Sequence, residues 1–107
     1  MPGEIKESDW KIFKQLHAIA LERYFMRALA DVERGLGEKS KSNRDRFWDL
    51  HKQIEEHRET LQRTFDDYRR STALMQLAII HSLDVLKQEE LTRFSPEAQE
   101  FLRQMAE

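Results

Sequence analysis

Between residues 73 and 86 the chain reads Ala-Leu-Met-Gln-Leu-Ala-Ile-Ile-His-Ser-Leu-Asp-Val-Leu, and ten of these fourteen positions are apolar. Set on a helix, they fall on two sides. One side carries Met75, Ile79, Leu83 and Leu86, and the other Leu74, Leu77, Ala78, His81 and Val85. A helix with one apolar stripe needs one neighbour, whereas one that is apolar on two sides must be covered twice. A chain of 107 residues has few elements to supply that cover. The segment therefore constrains the architecture to a small helical bundle. It also points to self-association through the side the chain leaves open, for which Leu74, Leu77, Ala78, His81 and Val85 are the candidates.

The remaining composition agrees with helices. Only three Gly and two Pro are present, while 36% of the residues are charged. Breaker poverty with abundant Glu, Arg, Leu and Gln favours long helices over strands. Eighteen basic against twenty acidic residues leave a net charge of -2, too balanced to attract nucleic acid or an anionic membrane. The absence of Cys excludes disulfides, thiolate metal sites and a Cys nucleophile. No apolar run is long enough to span a membrane, and Met1 to Glu7 lack the apolar core of a signal peptide. One cytoplasmic domain covering 1–107, away from membranes, is the expectation.

Along the chain the periodicity predicts helices over about 9–34, 43–70, 72–87 and 96–106. Ser8 is the candidate N-cap of the first, and Gly35 and Gly37 its terminators. Its apolar side changes, from Ile12, Phe13, Leu16, Ile19 and Ala20 to Leu21, Tyr24, Phe25, Ala28, Leu29 and Val32. The two sets are about 150° apart at about 100° per residue. Such a helix either breaks near Ala20 or changes partner. Ser42 and Asp45 form a capping box with the shorter acid at the next start. The second helix carries Phe47, Leu50, Ile54, Leu61, Phe65 and Tyr68 in one stripe. Matching lengths and a short connection predict an antiparallel hairpin. No Gly or Pro occurs between Asn43 and Lys87, and the stripe continues in phase through Thr72, Met75 and Ile79. That phase predicts one continuous helix, with a break at Ser71 as the alternative. Ser95-Pro96-Glu97 announces the last helix. The fold class is all-α: a long antiparallel hairpin, an apolar third helical segment and a short C-terminal helix.

No residue pattern carries chemistry. There is no Gly-rich phosphate loop and no Ser/His/Asp arrangement. His51 and Glu55 share a metal-compatible spacing, but the paired Glu-x-x-His signature of di-iron bundles is missing. No metal and no cofactor are expected. His57 and Arg58 interrupt the stripe of the second helix between Ile54 and Leu61. They form a candidate polar seam, either fixing register or lying along the seam with their heads in water. Lys39, Lys41, Arg44 and Arg46 give a weak candidate anion contact, diluted by Glu38 and Asp45. Trp48 lies off the stripe and is a candidate interface anchor. The expected function is a non-enzymatic protein-interaction module acting as a homodimer, its protein partner unidentified. Two alternatives stand beside it: a small-ligand pocket near His81 and Met75, and a nucleic-acid or anion contact through residues 39–46.

Overall fold

The computed structural model describes residues 5–106, so the Pro2 and Gly3 breakers lie outside it. Its elements are α1 (Glu7–Gly37), α2 (Asn43–Phe65), a 3-10 turn (Arg70–Thr72), α3 (Ala73–Ser82), α4 (Gln88–Leu91) and α5 (Pro96–Ala106). The described residues contain no strand, and the fold is all-α. Helices α1 and α2 form the antiparallel hairpin. Two caps fall where the sequence places them. Ser42 Oγ accepts from the Asp45 amide at 3.1 Å, and Ser95 Oγ accepts from the Ala98 amide at 3.2 Å.

The start of α1 differs from expectation. Lys6 occupies the N-cap position, with no side-chain cap, and Ser8 and Asp9 are already helical. Asp9 is instead buried and holds the far end of the chain. Its carboxylate accepts from the Ser95 amide at 2.8 Å and from the Ser95 hydroxyl at 2.6 Å. The helix then runs without interruption past Ala20 and through Gly35 to Gly37, beyond the predicted stop at 34. The turn of its apolar side is a change of partner. Phe13, Leu16 and Ala20 pack into a core with Ala73, Leu77 and Ile80 of α3 and Ala98 and Leu102 of α5. His17, Tyr24 and Asp31, seven residues apart, face α2 instead.

The continuous second helix is not formed. Helix α2 stops at Phe65, residues 66–69 are irregular, and α3 starts at Ala73. Asp66 and Asp67 stand at the negative end of the α2 dipole, where acids are unfavourable. Asp67 pairs with Arg69 at 2.6 Å, and the Thr72 hydroxyl donates to the Asp67 carbonyl at 2.9 Å. The freed Tyr68 ring stacks on His17 with centroids 4.3 Å apart, beside Phe13 and Trp10. This aromatic knot pins the joint to α1.

Folding α3 back reverses the roles of its two sides. Ala73, Gln76, Leu77 and Ile80 are buried, whereas Met75 is exposed and Ile79 half-buried. Leu77 and Val85, expected on the open side, are core residues closed off by the chain itself. Helix α3 also ends at Ser82 rather than 87, in a turn with Asp84 in the left-handed region (φ 58°). The carbonyls this turn exposes are answered from α1. Arg27 donates to the carbonyls of Leu83 and Asp84, and Arg23 to that of Val85 at 2.9 Å. Arg23 also grips both oxygens of Glu90 at 2.7 and 2.8 Å.

The molecule measures 52 × 25 × 24 Å, with a radius of gyration of 16.8 Å. A compact chain of this length would have about 13 Å. The excess is the hairpin. No residue of α1 beyond Tyr24 is buried, and α2 buries only Thr64 and Phe65. The other half of the hairpin overhangs the core.

Candidate functional site

Eleven large apolar side chains are exposed among the described residues, and seven of them, Phe25, Met26, Leu29, Leu36, Phe47, Trp48 and Ile54, belong to the overhang. Their directions follow from the helix period. On α1 the α2-facing line runs through His17, Tyr24 and Asp31. Phe25 and Val32 lie about a quarter-turn past it, and Leu29 and Leu36 about a third of a turn or more, at about 100° per residue. On α2 the α1-facing line runs through Arg46, Gln53 and His57, and Phe47 and Ile54 again lie about a quarter-turn past it. Right-handed helices running antiparallel turn these two flanks to the same side of the hairpin. That side is opposite the one from which Arg23 and Arg27 reach α3 and α4. The overhang is thus amphipathic as a pair of helices.

The opposite side of the overhang is polar and largely satisfied within the chain. A cleft of about 420 Å³ there is lined by Glu38, Lys41, Arg46, Asp49, Lys52 and Glu56, among others. Lys41 pairs with Asp49 at 2.7 Å, and Arg46 donates to the Leu36 carbonyl at 2.7 Å. Of the four basic residues singled out for anion contact, Lys41 and Arg46 are therefore occupied. Lys39 and Arg44 stay exposed, and the four do not converge on one point.

The polar seam resolves into two different roles. His57 Nε2 stands 3.0 Å from Asp31 Oδ2, and its Nδ1 2.7 Å from the Tyr24 hydroxyl. Asp31 can only accept, so Nε2–H donates to it and Nδ1 accepts from Tyr24. This chain crosses the hairpin at one height and fixes its register, since a slip by one turn would leave Tyr24 and His57 unpaired and Asp31 with only Arg34 of its own helix. Tyr24 is buried, which makes the arrangement a strut and withholds its hydroxyl from any substrate. Arg58 is exposed and bonds within its own helix to Glu55 and Gln62.

The other sequence candidates are scattered. Leu74 and Ala78 are half-buried against the core, and His81 is half-buried at the edge of a cleft of about 240 Å³ with Gln88, Leu91, Gln99, Leu102 and Arg103. Met75 does not line it. This volume is below the roughly 300–1,000 Å³ of ordinary ligand pockets. A broader, shallow cleft of about 660 Å³ lies on the back of α1, over Ile19, Glu22, Met26, Ala30 and Glu33, and reaches Phe25 and Leu29 at the edge of the open side. Among the described residues, no three His, Asp or Glu side chains cluster as metal ligands, and no helix is long and apolar enough to cross a membrane. Burial lowers the His17 pKa below the ordinary imidazole value, against the opposing effect of its hydrogen bond with the Phe65 carbonyl. Its role is in the aromatic knot.

Trp48 is 55% exposed, with its ring edge-to-face against Phe47 and His51. It belongs to no core. Trp48→Ala should therefore change folding stability by less than about 0.5 kcal/mol. A core Trp would cost about 3 to 5 kcal/mol. A thermal melt followed by circular dichroism separates the two, and a large loss of stability would return Trp48 to the core.

No family model matches the chain, and neither the curated proteins nor the solved structures contain a match to it.

Proposed function

We propose that this chain is a non-enzymatic helical protein-interaction module that acts as a homodimer. The observation that supports the reading is the gathering of seven of the eleven exposed large apolar side chains of the described residues on the hairpin overhang, five of which, Phe25, Leu29, Leu36, Phe47 and Ile54, adjoin one another on its open side. Scattered exposed apolar residues are ordinary, but a contiguous patch of several hundred Å² marks a place for a partner. The half-buried polar chain Asp31–His57–Tyr24, which resembles a catalytic relay, keeps its terminal hydroxyl inside the protein. A hairpin half that buries almost nothing within its own chain gains cover when it pairs with another.

Light scattering after size exclusion, at micromolar concentration, tests the reading. The expected mass is twice the 12.9 kDa of one chain, falling towards a single chain on dilution. One chain mass across the whole concentration range would remove the homodimer.

A further inference from the structure

We propose that the second copy docks on the open side of the hairpin overhang, through Phe25, Leu29, Val32, Leu36, Phe47 and Ile54, and completes a two-plus-two four-helix bundle. The inference rests on the homodimer reading and adds to it the surface and the architecture.

Three features single out this side and this occupant. The first is width. The apolar residues come from two neighbouring helices, so the surface is two helices across. A lone helix could fill only the furrow between α1 and α2 and would leave the outer residues in water. A second hairpin has the matching width, and an isologous pair places the same residues on both sides of the contact. The second is extent. From Phe25 to Leu36 the surface runs about 17 Å along α1, at about 1.5 Å per residue, and two helices span about 20 Å. Two such surfaces with their polar margins bury on the order of 1,000 Å² in total, at the lower edge of what a specific pair requires. The third is confinement. Nearer the core the same flank carries Lys14, Arg58 and Gln62, all exposed. The apolar part therefore coincides with the part that α3 and α5 leave uncovered, and it matches the overhang of another copy.

The back of α1, with Ile19, Met26 and Ala30, is the competing surface, and it shares Phe25 and Leu29 with the open side as their common edge. It is one helix wide and interrupted by Glu22 and Glu33. That is a poor fit for a partner two helices across.

Single charges decide between the two surfaces. Phe25→Glu, Ile54→Glu and Phe47→Glu place a carboxylate in the proposed contact, and Met26→Glu places one on the back of α1; Phe25 borders that back cleft as well, so Ile54 and Phe47, which the cleft does not touch, carry the distinction. All four positions are exposed in the single chain, with Phe47 at 61%, so helicity by circular dichroism should be retained. Should Phe25→Glu lose helicity, Phe47→Glu, near the tip of the hairpin, carries the test. Sedimentation equilibrium should find the unsubstituted protein and Met26→Glu dimeric. The three open-side variants should have dissociation constants raised by about 30-fold or more. Folded open-side variants that still dimerise like the unsubstituted protein overturn this surface and leave the homodimer standing. Dissociation by Met26→Glu, with or without Phe25→Glu, while Ile54→Glu and Phe47→Glu stay dimeric assigns the contact to the back of α1 and also overturns it. A monomeric unsubstituted protein removes the homodimer reading and this surface with it.

Discussion

Leu77→Asp should leave the chain unfolded at neutral pH, while Met75→Asp, two residues earlier in the same helix, should fold with nearly unchanged helicity. Leu77 is 1% exposed and Met75 42%. Even Leu77→Ala, which only opens a cavity, should cost about 3 to 5 kcal/mol. A chain of this size holds only about 5–15 kcal/mol in total. Burying an unpaired carboxylate at the same place adds a desolvation cost that the remaining contacts cannot offset. Far-ultraviolet circular dichroism of the two variants is the check. Equal behaviour would mean that α3 does not dock with the Leu77 side inward.

Arg23→Ala should cost about 2 to 3 kcal/mol at pH 7, because it leaves Glu90 largely buried without its partner. The Glu90 side chain is only 14% exposed and that of Arg23 26%. Hydrogen bonds from Arg23 pull the Glu90 pKa down from 4.5 to about 2. A depressed carboxylate pKa gives stability that is fully present above the unfolded value and is lost as the pH falls through the folded one. The Glu90 contribution should thus fade between pH 4.5 and about 2, by about 3 kcal/mol at most. Urea titrations at pH 7 and pH 3 should show the variant losing less on acidification than the parent. Parallel losses in the two proteins would show that the Arg23–Glu90 pair does not set the acid limit. His17 works in the same direction at higher pH. Its folded pKa lies below 6.5, so the stability held by its neutral form begins to erode as the pH falls through that value.

What could be read in the sequence was what local chemistry decides. Ser42 caps α2 and Ser95 caps α5 because a side-chain oxygen three residues ahead of a free amide needs no tertiary help. The hairpin follows from two long helical patterns and a short loop. The break after Phe65 escaped because seven residues are close to two helical turns. From Phe65 to Thr72 the stripe keeps its phase whether or not the backbone between them is helical. The paired acids Asp66 and Asp67 were the available signal, placed where a helix dipole repels them. Once the helix is broken, packing and not periodicity chooses which side of α3 faces inward, and Leu77 and Val85 changed roles for that reason. The gap at His57 was visible in the stripe. Its partners, Tyr24 and Asp31, lie 33 and 26 residues away and could be found only by the fold. Asp9 stands in the first turn of α1, and nothing near it in sequence announces Ser95.

That clasp sets the order in which the molecule can be completed. Asp9 waits for Ser95, 86 residues later, and Lys6 pairs with Glu97, 91 residues later. Contacts this distant along the chain are slow to close and weigh heavily in contact order. At about 5–20 residues per second, α1 spends roughly 4 to 17 s of synthesis without them. Throughout that interval Phe13, Leu16 and Ala20 have no cover from α5. The nascent chain is therefore vulnerable along α1, and α5 is what takes that surface away from chaperones and proteases.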